Sequence, residues 1–162
     1  MIWAEKMAEP IWGIDSWGPE MARVWGGIRD ADRRLVKAYG FSNIPETIHE
    51  VPCAISYLFE PLDVEYSLGN RNLVSYHGKT EFFLSTDVTR GQLGRIFPYV
   101  KKIIEAAAQN ISLNGKVDSF EIRKSGGIEP AILNYGDGID RFGLVVSWDV
   151  YETITGKIVV HE

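Results

Sequence analysis

Apolar and polar positions alternate most regularly toward the C-terminal end of the chain. Leu144, Val146, Trp148 and Val150 fall on one side of an extended segment, and Val145, Ser147, Asp149 and Tyr151 on the other. The first set is continuously apolar and is expected to face a core. The second carries Ser147 and Asp149 and is expected to be partly wet. Gly136, Asp137, Gly138 and Asp140 precede this run as turn formers. Residues 134–153 therefore read as a turn followed by the longest strand. Thr155-Gly156 offers another tight turn, and residues 157–161 a short last strand pairing back.

Elsewhere the period changes. Met21, Val24, Trp25, Ile28, Ala31, Leu35 and Ala38 recur at three- and four-residue steps. They predict a helix over 19–39, with Pro19 at its first position and Gly40 as its C-cap. Gly26-Gly27 weakens it. Thr89 and Gln92 fit a capping box, and Leu93, Ile96, Phe97, Val100, Ile103, Ile104 and Ala107 predict a second helix over 93–109. Pro98 should kink or break it. Between the helices lie strands at 51–59, 62–66 and 79–87. In the second of these, Leu62, Val64 and Tyr66 are expected inward, and Asp63 and Glu65 outward. Residues 67–79 are polar and glycine-punctuated, and read as a projecting loop, with a turn at 69–72 and Leu73–Tyr76 open to pairing back as a fourth strand. Strands at 116–124 and 128–135, joined by Ser125-Gly126-Gly127, follow the second helix. Runs of strands split by single helices predict an α+β fold: a largely antiparallel mixed β-sheet with two main helices packed on it. Residues 1–18 read as an N-terminal aromatic arm and residues 19–162 as a single α+β domain. Trp3, Trp12 and Trp17 make the arm too apolar for a free tail. It is expected to dock on its own core or on a neighbouring subunit.

A length of 162 residues suits one domain with a proper core. The net charge of −5 argues against nucleic acid as the main partner, while leaving room for a local basic patch. Cys53 is the only cysteine, so neither an internal disulfide nor a cysteine-cluster metal site is available. No apolar run is long enough to span a membrane. Glu5 and Glu9 stand where a secretory signal would be apolar.

Candidate chemistry is sparse. His49, His77 and His161 have no ligand partner at metal spacing on a shared helix face, and adjacent His49 and Glu50 would point apart in a strand. Gly136-Asp137-Gly138 leads into a strand, whereas phosphate cradling uses a helix N-terminus. Asn134, Asp137 and Asp140 lack the spacing and closing Glu of a calcium loop. Glu60, Asp63 and Glu65 read as a solvated strand face rather than a catalytic carboxylate pair. Cys53, in an apolar strand, reads as a small core residue. No catalytic residue, cofactor or metal is expected, and the enzyme reading has no positive support.

Three stretches carry a resemblance: the first helix followed by VPCAISYL, the second followed by ISLNGKVDSFEIRK, and the closing AILNYGDGIDRFGLVVSWDVYE. Their layout resembles the tail-terminator and tail-completion (head–tail connector) proteins of long-tailed bacteriophages, over most of the chain from Pro19 onward. The resemblance implies a structural virion protein. It would form a homo-oligomeric ring, commonly sixfold, that caps the tail tube and offers the surface joining the head. Its partners would be copies of itself, the tail tube protein and a head-completion or connector protein. DNA would pass through without sequence-specific contact, and no membrane is involved. Its place would be the virion, at the head–tail junction. Aromatic and Arg side chains dominate interface energetics. The expected contact residues are therefore Trp3, Trp12 and Trp17 in the arm, and Arg71 and Asn72 in the loop. Two other readings make different demands: another virion part (a tube, neck or baseplate subunit), or a small soluble ligand-binding protein with a pocket between sheet and helices.

Overall fold

The computed structural model describes residues 12–30, 33–58, 60–67 and 71–155. In chain order its elements are α1 (Ile14–Gly26), β1 (Lys37–Gly40), β2 (Cys53–Leu58), β3 (Asp63–Ser67), β4 (Arg71–Ser85), a 3₁₀ turn at Arg90–Gln92, α2 (Leu93–Ile96), α3 (Pro98–Ala108), β5 (Ser119–Ile122), β6 (Ile128–Asn134) and β7 (Asp140–Thr155). The strands form one mixed sheet with the helices on one face. The α+β architecture expected from the alternation is the one observed.

Two long strands make the spine. β4 and β7 pair antiparallel from Arg71↔Thr155 to Phe83↔Gly143. Each is flanked by an interrupted strand. β2 and β3 lie end to end along β4, and β5 and β6 end to end along β7, all antiparallel to their spine strand. β1 adds to β2 in parallel.

The inner, helix-covered face holds the main core. Leu144, Val146, Trp148 and Val150 are all fully buried, on the face the alternation assigned to them. Trp148 is its centre. Its ring meets Trp17, Phe41 and Phe120 edge-on, with centroids 5.9, 6.1 and 6.2 Å away. The indole N–H donates to Thr80 Oγ1 at 2.9 Å, and Thr80 shares a 2.8 Å bond with Ser56. Three strands are thus tied by one buried polar chain, which leaves no orphan group beneath the indole. The ring lies across β4 at Gly78, where a Cβ would come within 2.5 Å of it.

Several boundaries differ from expectation. α1 starts at Ile14, inside the segment read as an arm, and ends at Gly26 rather than continuing to residue 39. Its start is fixed by tertiary contact. The buried Glu152 carboxylate accepts the Gly13 N–H at 3.0 and 3.2 Å and the Tyr76 hydroxyl at 2.9 Å. A carboxylate at this end also suits the helix dipole. Pro19 sits inside the helix rather than at its first position. The Gly26-Gly27 pair ends it. A turn closed by the Arg29↔Leu35 bridge then leads into β1, so Gly40 is a strand residue and not a cap. Asp30 holds that turn, accepting the Arg34 backbone N–H at 2.7 Å and its Nε–H at 3.0 Å.

Residues 71–79, read as a loop, belong to the 15-residue strand β4. The second helix does break before Pro98, although Thr89 makes no side-chain cap. Val64 and Tyr66 share the inner face with Val74 and Ile154, yet they are 47% and 80% exposed. The expected last strand at 157–161 lies outside the described residues.

Trp148→Ala should lower stability by about 3–5 kcal/mol, the range for truncating a large buried aromatic, measured by denaturant unfolding. Gly78→Ala should cost about 1–3 kcal/mol by overpacking against the same ring. Unchanged midpoints in both variants would mean that Trp148 is not the centre of the core.

Candidate functional site

The outer face carries its own small buried cluster (Cys53, Ile55, Phe83 and Leu133) and becomes chemically distinctive where both flanking strands break. Along β4 the break falls between Leu58↔Gly78 and Asp63↔Ser75. Along β7 it falls between Ile122↔Trp148 and Ile128↔Val146. His77 pairs with Asp149 across the spine at the same level. The second break is a tight insert, closed at its base by Arg123 N–H to the Ser147 carbonyl and Ser147 N–H to the Gly127 carbonyl, at 2.9 and 2.8 Å. Gly127 is required there, since a Cβ would lie 2.0 Å from the Arg123 carbonyl oxygen. The two flanking strands are three inter-strand steps apart, about 14 Å. A long side chain from one break can therefore meet a residue from the other.

This happens over His77. Asp63 Oδ2 accepts from His77 Nε2 at 2.8 Å, and Asp149 Oδ1 from His77 Nδ1 at 2.6 Å. Arg123 Nε donates to the same Asp149 oxygen at 3.1 Å. The Arg123 fork then grips both Glu60 oxygens at 2.9 Å each. The result is a row of alternating charge: Asp63, His77, Asp149, Arg123, Glu60. His77 and Asp149 are 17% and 14% exposed, while Asp63 at the rim is 78% exposed.

Both imidazole nitrogens face carboxylate oxygens, so both must donate, and the geometry calls for the imidazolium. The bond to Asp149 raises the His77 pKa most. Burial opposes it, the Asp63 bond adds to it, and the Arg123 charge works against it. Glu60 is held below the usual carboxylate range by Arg123. The two carboxylates sit at opposite ring nitrogens and do not converge on one point. Among the described residues, no group of three or more His, Cys, Asp or Glu is placed to hold a metal ion. With both nitrogens committed, neither is left to act on a hydroxyl or a water. The arrangement clamps the two halves of the sheet and responds to protonation.

Trp3, the first of the expected contact residues, lies outside the described residues. Trp12 is 55% exposed just ahead of α1. Trp17 is fully buried and packs on Phe41, Tyr76 and Trp148, so it is a core residue of its own chain and not a contact residue. Arg71 and Asn72 pair with Ser67 and Tyr66 at the end of the β3–β4 ladder, Arg71 exposed and Asn72 half-buried. The structure does not bring Arg71 and Asn72 together with Trp17.

Among the described residues His49 bonds only to the Thr47 hydroxyl, at 2.9 Å, and His161 lies outside the described residues. Asn134 and Asp137 serve the hairpin turn. Their side chains accept the Gly136 and Ile139 N–H groups at 2.8 and 3.1 Å, and the Asp137 carboxylate also grips Arg141 at 2.9 and 3.2 Å. Burial pushes the Cys53 thiol up to about 12, in keeping with a small core residue. Glu65 is exposed as expected, but Glu60 and Asp63 have specific partners. The clamp was not legible in the sequence. Its residues are scattered from 60 to 149, and only the β4–β7 register aligns them.

A second feature is an apolar groove of about 530 Å³ between α3 and the β5–β6 edge, lined by Ile104, Ala108, Ile111, Ile122 and Ile128. Ile104 and Ile111 are 50% and 54% exposed. No helix is long and apolar enough to cross a membrane among the described residues. No family model matches the sequence, and no curated protein matches it.

The sign of the pH effect follows from the raised His77 pKa. The stabilisation is fully present below the unfolded value of 6.5 and is lost as pH rises through the folded value. NMR titration should place the His77 ring above that unfolded value, and Asp149→Asn should bring it down. Unfolding midpoints of the parent should fall as pH rises past the folded value, while those of His77→Gln stay flatter. A ring that titrates at or below 6.5 would contradict the clamp.

Proposed function

We propose that the chain is a structural subunit of a bacteriophage tail, a tail terminator whose ring caps the tail tube and presents the head-joining surface. The observation that supports this most is a pair of unlike apolar surfaces at opposite edges of the sheet. One edge carries β3, with Leu62, Val64 and Tyr66 exposed. The other carries the groove with Ile104 and Ile111. Head-to-tail contact between unlike faces is what a closed cyclic ring requires. The clamp supports it too, because Asp63, His77, Asp149, Arg123 and Glu60 are spent on each other. Arg71, Asn72 and Trp12 remain the first candidates for contact with the tube or a neighbour. A connector of another kind would use the same two edges. A ligand-binding protein would use the groove alone.

The test is made with tail tubes present, since a tube end can template a ring that does not close by itself. The parent protein should sit on tube ends as a closed ring under electron microscopy. Tyr66→Glu, at an exposed position, should fold normally but cap fewer ends. Truncation to probe the arm should stop at residue 11, because Gly13 is bonded to Glu152 and α1 begins at Ile14. A parent that ignores tube ends and stays monomeric at high concentration would sink the ring reading and leave the groove as a ligand site.

A further inference from the structure

We infer that the cavity between the 28–36 turn and the second helical segment binds phosphate groups. The sequence concentrates charge there. Residues 29–37 and 90–102 together hold eight of the chain's 17 Lys and Arg and only two of its 22 Asp and Glu. The second stretch has four cations and no acid, whereas a solvated helix face ordinarily mixes both signs. The fold brings the two stretches to one place. Their cavity, about 540 Å³, is lined by Arg34, Arg95 and Lys102 together with Gln92, Ser85 and Thr86.

Two of the described acids nearby already have partners, and the Asp87 carboxylate also feels the Arg95 charge. Asp30, which also lines the cavity, accepts the backbone and Nε protons of Arg34. Asp87 accepts the Thr89 N–H at 3.0 Å. Arg95 is exposed and makes no hydrogen bond or ion pair among the described residues. Lys102 donates one proton to the Arg29 carbonyl and stands over the Tyr99 ring. An ammonium has three donors, so two remain. A planar guanidinium fork and a point-charge ammonium, beside the Thr86 hydroxyl and the Gln92 amide, match the oxygens of a phosphate; the Ser85 hydroxyl already donates to the Asp87 carbonyl. In a chain of net charge −5, such a concentration of cations is offset best by an anionic ligand. The phosphate belongs either to a small phosphorylated compound or to a nucleic-acid backbone gripped without base contacts. The inference does not depend on ring assembly, since a monomer carries the same cavity.

Two probes separate the sources. Sodium pyrophosphate is titrated into ¹⁵N-labelled protein, and a fluorescent DNA duplex is followed by anisotropy at several salt concentrations. The parent should show saturable shifts at Ser85, Thr86, Gln92, Arg95 and Lys102, or duplex binding that weakens with salt. The double variant Arg95→Gln/Lys102→Gln should bind the effective probe at least tenfold more weakly. If that probe is the duplex, its salt slope should become shallower by about 0.9 for each phosphate that the variant no longer neutralises. Lys124→Gln, in the groove at the other sheet edge, should bind as the parent does. Saturation by pyrophosphate alone assigns a small phosphorylated ligand, and binding of the duplex alone assigns a backbone. The inference is overturned if neither probe binds, if the double variant binds like the parent, or if Lys124→Gln weakens binding equally.

Discussion

The fold depends on Trp148 lying across β4 at Gly78. One indole touches the N-terminal helix through Trp17, the loop after β1 through Phe41 and strand β5 through Phe120. Its N–H is satisfied inside the sheet by Thr80. A large apolar ring with one polar handle is usually buried with that handle paired, and Trp148 has what the equally buried Trp17 and Trp25 lack, a hydrogen-bond partner for its indole N–H. Here the partner is itself tied to β2 through Ser56. The position therefore couples apolar packing, sheet register and helix placement. A one-residue slip of β4 against β7 would move the ring off Gly78 onto a residue with a Cβ, and move Thr80 away from the indole.

The outer face follows a different logic. Two sheet edges break at the same level, and their inserted residues meet above the spine. The same register that sets Gly78 under Trp148 sets His77 beside Asp149 one residue away. Because neighbouring strand residues point to opposite faces, core and clamp are two readings of one alignment. Arg123 reaching Glu60 then bridges segments that share no direct strand pairing.

What the sequence disclosed was alternation, and what it hid was register. The period-two run at 144–150 identified the core face and Trp148 without ambiguity, and Pro98 disclosed the break in the second helix. The first helix was misread because Ile28, Leu35 and Ala38 continue a helical period past Gly26-Gly27. The glycine pair and the side-chain bonds of Asp30 outweighed that period. Residues 71–79 looked like a loop because His77, Gly78 and Lys79 are polar or small. Gly78 is small to admit Trp148, and His77 is polar because it faces the clamp. The basic cavity was not read from the sequence: its cations at 90–102 lie on a segment read for its apolar stripe, and its second wall at 29–37 lay inside the misread first helix.

The bond from Glu152 to Gly13 spans 139 residues of sequence. A ribosome making this chain releases α1 long before the strand that anchors its first turn exists. Until β7 is synthesised, Trp17 and Trp25 have no finished sheet to pack on, and the Gly13 N–H lacks the Glu152 carboxylate. The domain is therefore closed by a contact between its first and last described elements. A chain cut short before β5 would lack both Phe120 against Trp25 and Trp148 against Trp17.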